Sequence, residues 1–391
     1  MRVGAFTSFY RHHVARSIGL VFAATGLLYG TWSALIPFVK EKFGLDEAQL
    51  GLLLLSLPAG VTIMNPFAVP ILHRFGAPKT ALFALGLAAV LFVAPLMAAS
   101  VWLLAASLFF AGAAFSTTNV AMNTCSTMLE GQQQIRIMST CHGLWSAGAM
   151  SGSALASVFT GMGVLPLLYS SIVAGLLVSV ALLLRRPLQF LREVGQDGDK
   201  NAPAGKKFTF PNALLWSLIV ISLCTNLAEG TMADWSAVYM KEVLASPPYM
   251  IGWGFASYAF FMAGGRFVGD GLLVRYGERL VLMGGGIVAA IGLLLPVIYQ
   301  NTIAALLGFA MVGAGVSLGA PVLYGASSRV PGMAPGAGLA TMNTFAMVGF
   351  LGGPALIGFI AKFWSLPTAF ALVSCAALFW AWRARQTIAI R

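Results

Sequence analysis

Again and again along this chain, roughly twenty apolar residues pass without a charge before a short polar break ends the run. A run of that length makes a helix about 30 Å long, which is the thickness of a bilayer's hydrocarbon core. In hydrocarbon every backbone N–H and C=O must be bonded within the protein, so a chain built of such runs folds as a bundle of membrane-crossing helices. The charge content agrees: 9% of the 391 residues are charged, against about a quarter in a soluble domain.

Bounded by charge, glycine and proline, the runs predict twelve spans. In the first half they are Ile18–Val39, Leu50–Leu72, Thr80–Ala98, Val101–Cys125, Ile137–Gly161 and Val164–Leu184. In the second half they are Leu214–Val238, Tyr249–Leu273, Leu280–Ile298, Thr302–Tyr324, Gly338–Ala361 and Leu366–Trp382. Lys and Arg are retained on the cytoplasmic side. With the N-terminus inside, eighteen of the 23 basic residues fall there, so both termini are expected to be cytoplasmic. The net charge of +11 therefore reads as orientation, not as nucleic-acid binding. The first helix has no small-residue cleavage site after it and is expected to be retained. Cys125, Cys141, Cys224 and Cys375 all lie in apolar segments without paired spacing, and free thiols are expected.

The longest polar stretch, Arg185–Asn212, contains the solvated run Gly195–Pro203 and divides the chain. The domains expected are a six-helix bundle over 1–184, a cytoplasmic linker over 185–212 and a second six-helix bundle over 213–391. The bundles match one another at an offset near 201. Lys40-Glu41 and Gly51 correspond to Lys241-Glu242 and Gly252, and His73-Arg74-Phe75-Gly76 to Val274-Arg275-Tyr276-Gly277. In the fifth span Thr140-Cys141-His142 and Gly148…Gly152 correspond to Thr341-Met342-Asn343 and Gly349…Gly353. Two parallel repeats about an axis along the membrane normal are the architecture of many carriers, in which a substrate between the halves is exposed to each side in turn.

Twelve helices, the six-plus-six repeat and the Arg-x-Gly turn after the second and eighth spans resemble the major facilitator superfamily over essentially the whole chain. Asn119-Val120-Ala121-Met122-Asn123, His142-Gly143-Leu144-Trp145-Ser146, Glu229–Trp235 and Gly265–Asp270 further resemble its fucose-permease-like branch of bacterial inner-membrane proteins. The chain departs from the superfamily pattern at His73 and Val274, where an acid usually opens the turn. Fucose-proton symporters carry a carboxylate in the fourth helix where this chain has Asn119, which argues against fucose and against a proton site there.

Among the charged residues, Glu229, Asp234, Arg266 and Asp270 fall inside spans, where a charge costs at least roughly 2.5–3.5 kcal/mol. The resemblance makes the first, fourth, seventh and tenth helices cavity-lining, which marks Glu229 as the leading candidate for proton coupling. Asp234 and His142 follow it. Asn226, Asn119, Asn123, Tyr29, Trp32, Trp145 and Asn343 are the substrate-cavity candidates. Arg74, Gly76, Arg275 and Gly277 are expected to gate or to shape the turns, and Arg266 and Asp270, four apart on one helix face, to pair or to bridge helices. The amides and His142 are equally suited to gluing helices together. No phosphate loop, metal cluster or catalytic triad is visible, so neither an enzyme nor a cofactor is expected.

The leading expectation is a monomeric, proton-coupled secondary transporter whose partners are a small polar metabolite such as a sugar, protons and the bilayer. A proton-antiport exporter of drugs or amphipathic metabolites is the alternative, since 17 Met and 27 Phe would suit greasy cargo. A ligand sensor with a transporter fold is a third reading.

Overall fold

The computed structural model describes residues 9–191, 210–331, 333 and 337–387, and all of their regular structure is helical. The long helices of the first half are α1 (His13–Phe43), α2 (Glu47–Phe75), α3 (Ala77–Met97), α4 (Val101–Gln133), α5 (Met138–Gly161) and α6 (Pro166–Leu183). Those of the second half are α7 (Ala213–Val243), α8 (253–276), α9 (278–299), α10 (Thr302–Ser328), α11 (Ala337–Phe363) and α12 (Leu366–Gln386). Several overrun the apolar runs that predict them: α1 starts before Ile18, and α7 and α10 continue past Val238 and Tyr324. Hydropathy marks where hydrocarbon ends, whereas a helix stops where its end groups are capped.

Among the described residues, ten helical stretches are long and apolar enough to cross a membrane. The 24-residue α5 and the part of α8 before residue 271 lie outside that set. In α5 the serines and glycines that let it pack closely also dilute its hydropathy. Of the expected linker, the described residues show a short helical turn, Arg185–Leu188, while 192–209, with the run Gly195–Pro203, lie outside them.

Backbone devices recur at the offset seen in the sequence. Ser100 caps α4 by accepting from Leu103 N–H at 3.3 Å, and Asn301 caps α10 by accepting from Ala304 N–H at 2.9 Å. The turn between α2 and α3 is made at Gly76 with φ 86°, and the turn between α8 and α9 at Gly277 with φ 78°. At both, the left-handed backbone requires glycine. The chain leaves α1 through Gly44 at φ 60° and leaves α7 through Ala245 at φ 45°.

The helices form two compact units. The first comprises Met1–Leu45, Leu52–Gly198 and Pro247–Ala256; the second comprises Asp46–Gly51, Asp199–Ser246 and Ser257–Arg391. Each thus holds a short segment from the sequence of the other half, at matching positions. In the first unit the 247–256 segment seats on α5: Ser153 Oγ donates to Gly252 O at 2.8 Å, Ser157 Oγ donates to Pro248 O at 2.9 Å, and Gly252 N–H donates to Ser157 Oγ at 2.9 Å. In the second unit the 46–51 segment seats on α11, with a Cβ on Gly51 only 3.1 Å from Gly358 Cα, and Lys362 Nζ bonds Asp46 Oδ2 at 2.8 Å. That lysine holds the Asp46 carboxyl below its ordinary value, helped by the Gln49 N–H at 2.8 Å.

Candidate functional site

Within the first unit, α1 and α5 touch backbone to backbone. A Cβ on Gly26, Gly30, Gly148 or Gly152 would lie less than 3.0 Å from a carbonyl oxygen of the facing helix. Small residues of this kind let membrane helices approach closely. The contact fixes the side chains beside it. Tyr29 on α1 lies 5.8 Å from the Trp145 ring on α5, 5.7 Å from Phe115 on α4 and 6.1 Å from Phe255, centroid to centroid. Tyr29 and Trp145 are half-buried, and the Trp145 Nε1–H lies buried without a hydrogen-bond acceptor.

Amides continue the same face of α4. Phe115, Asn119 and Asn123 follow at four-residue steps, and Asn123 Nδ2 donates both to Asn119 O at 2.8 Å and to Asn119 Oδ1 at 3.0 Å. His142, one turn before Trp145, meets Phe22 edge-on at 5.2 Å. Trp32 is placed elsewhere: it is 4% exposed, packs edge-on against Phe92 at 6.4 Å and lines a void of 10 Å³ beside Ser170. The first unit therefore gathers rings and amides, all uncharged apart from the titratable His142.

The charged residues that fall inside the predicted spans all belong to the second unit. Glu229 on α7, Arg266 on α8 and the Tyr324 hydroxyl of α10 stand within electrostatic reach of one another. Close packing brings the three helices together. A Cβ on Gly265, next to Arg266, would overlap Ser317 of α10, and a Cβ on Gly319 of α10 would lie 3.2 Å from Thr225 Cγ2, one turn before Glu229. Asn226 sits one turn before Glu229 and, like it, is partly accessible. Asp234 is also partly accessible, five residues on and about 140° around the helix from Glu229. The side chains of Asp270 and Asn343 lie outside the described residues.

At the two glycine turns the arginines behave alike. Arg74 lies over the Phe75 ring at 5.4 Å and Arg275 over the Tyr276 ring at 5.2 Å, both exposed. Past the second turn Glu278 pairs with Arg329 at 2.6 Å, an ion pair for which the first turn has Ala77 in place of the acid.

A sequence profile described as Major Facilitator Superfamily matches residues 18–247 and again 229–387. The chain belongs to the major facilitator superfamily. With that it is a multi-pass membrane transporter that moves small molecules by alternating access. An uncharacterised transporter of the superfamily from Yersinia pestis is 33% identical over 360 residues, covering 92% of this chain and 91% of that protein. Among solved structures, the nucleoside transporter NupG superposes with a TM-score of 0.72 at 14% identity, covering 96% of this chain and 98% of that one. The Escherichia coli fucose:proton symporter FucP superposes at 0.61 and 16% identity, covering 94% of this chain and 98% of that one. The fold is thus the superfamily's, shared with transporters beyond the fucose-permease-like branch.

Three members of these clusters escape a reading of the sequence alone. Phe115 and Phe255 sit in apolar runs that any membrane helix carries. Tyr324 stands at the end of an apolar run, where an aromatic residue ordinarily reads as an interfacial anchor. One signal could have found it: at the repeat offset it occupies the place of Asn123.

Proposed function

We propose that this transporter carries a small polar metabolite bearing a ring, a sugar or a related compound, and that Glu229 couples its movement to protons. The observation carrying this reading is the convergence of Glu229, Arg266 and Tyr324 where α7, α8 and α10 pack closely. An ionised Glu229 engages the Arg266 guanidinium. A proton on Glu229 releases it, leaving five donors in a fork suited to hydroxyls or a carboxylate on a substrate. Proton binding and substrate binding then bias the same two-state equilibrium, which is what coupling requires. Tyr29, Trp145 and Phe115 provide aromatic faces for the apolar side of a ring, and the Asn119–Asn123 pair and the free Trp145 N–H provide polar contacts beside them. In this reading α5 and the whole of α8 also span the bilayer, for twelve spans in two six-helix bundles, with both termini in the cytoplasm of a bacterial cell.

Once a ligand has been found by its stabilisation of the purified protein, the test is transport into proteoliposomes by Glu229→Gln. Accumulation driven by a pH gradient is expected to disappear while counterflow exchange persists. Accumulation at the wild-type level would move the coupling group to Asp234 or His142.

A further inference from the structure

Two cavities on the first unit join into one groove between α3 and α6. The outer, of 530 Å³, is lined by Lys79, Arg185 and Gln189 among apolar neighbours; the inner, of 320 Å³, is apolar except for Arg185. Leu82, Phe83 and Arg185 line both, so the floor is continuous. Along α3 the lining positions 78, 79, 82, 83, 86, 87 and 90 follow the three- and four-residue steps of one helix face. That face is about 18 Å long at 1.5 Å per residue, close to the roughly 15 Å of a single leaflet's hydrocarbon.

The polar groups all lie at one end. Lys79 is in the first turn of α3, Arg185 lies two residues past the end of α6, and both are exposed without a carboxylate partner among the described residues. Beyond them Phe83, Val90 and Leu182 are 73%, 56% and 52% exposed, as side chains facing lipid are. Gly86 keeps the groove open, because its missing side chain would otherwise extend toward Val178, 4.0 Å from an added Cβ. Paired cations at a helix boundary above a channel one leaflet deep match the chemistry of an anionic phospholipid, with the phosphate at the cations and an acyl chain along Gly86.

We propose that this groove is a specific binding site for an anionic phospholipid of the phosphatidylglycerol type. The site is separate from the transported substrate and does not depend on its identity.

The test is native mass spectrometry of the full-length protein in detergent, titrated with phosphatidylglycerol or phosphatidylcholine of the same acyl chains. Preferential retention of one phosphatidylglycerol is expected. Lys79→Gln and Arg185→Gln should each weaken that retention roughly fivefold, and the double variant about thirtyfold. Gly86→Leu, which fills the groove and leaves both cations, should weaken both lipids together. Equal retention of the two lipids by the wild type would overturn the proposal. So would a double variant that keeps the preference, or retention unaltered by Gly86→Leu. Displacement by inorganic phosphate with no effect of Gly86→Leu would instead reveal a plain phosphate site and sink the lipid assignment.

Discussion

The helix pair α1–α5 in the first unit and its repeat counterpart α7–α11 in the second begin from matching glycines and arrive at different contacts. A Cβ on Gly148 or Gly152 would strike a backbone oxygen of α1, which has nowhere to go. Added at the equivalent Gly349 or Gly353, it would meet the Leu223 side-chain tip at 2.8 Å or the Leu227 tip at 3.7 Å, which can rotate aside. One pair is locked by main chain and the other is cushioned by leucine. The rings and amides accompany the locked pair, and the acid–guanidinium–phenol cluster accompanies the cushioned one. Duplication has preserved what the backbone requires, namely caps and left-handed turns, while side chains were free to divide the chemistry.

The sharpest way to break this comparison is to add one methyl group on each side. Gly148→Ala should cost about 3 kcal/mol, because overpacking against main chain cannot relax, and should lower the yield of folded protein. Gly349→Ala should stay within about 1 kcal/mol. Equal losses in thermal unfolding would show that the two pairs do not differ.

The chain reversals after α1 and α7 offer a smaller contrast. Gly44→Ala places a Cβ in left-handed backbone and should destabilise by about 1–2 kcal/mol. Ala245→Gly removes one from the same conformation and should stabilise by up to about 1 kcal/mol. Opposite signs in paired denaturation measurements are the expected result.

Tyr29 and Tyr324 test the division of chemistry directly. Tyr29→Leu keeps the bulk of the apolar contact but loses the ring, and should weaken substrate binding up to about tenfold without moving the pH profile of transport. Tyr324→Phe removes only the hydroxyl beside Glu229 and Arg266 and should move that profile, with an affinity change below about tenfold. The reverse pattern would exchange the roles assigned to the two units.

The smallest effect belongs to the junctions where each unit seats a segment from the other half. The first is neutral, built on Ser153 and Ser157; the second includes the Asp46–Lys362 pair, whose positions in the repeat are Pro247 and Gly161. Because the Asp46 carboxyl is held below its ordinary value of 3.8, its contribution is complete above that pH and is lost as pH falls through the lowered value. For a pair this exposed the loss is under about 1 kcal/mol and shrinks further in salt. Asp46→Asn should abolish that part of the acid sensitivity, measured as thermal stability between pH 6 and roughly pH 3.

Much of this molecule was legible in one dimension. Apolar run length, the positions of Lys and Arg, and the offset repeat are properties of the chain read in order, and they sufficed for an all-helical membrane bundle, for the glycine turns at Gly76 and Gly277, and for Glu229 as an intramembrane acid. What they leave open is azimuth and partner. Spacing along α8 set Arg266 beside Asp270, whereas the packing of Gly265 on Ser317 and of Gly319 on Thr225 brings its charge to bear on Glu229 and Tyr324. Tyr29 and Trp32 are three apart on α1, yet one joins the aromatic cluster and the other is buried against Phe92. Nor does hydropathy tell a lipid-facing groove from a lipid-facing ridge, since the same leucines make either. Which way a helix face turns depends on the shapes of its neighbours, and those shapes exist only once the helices have packed.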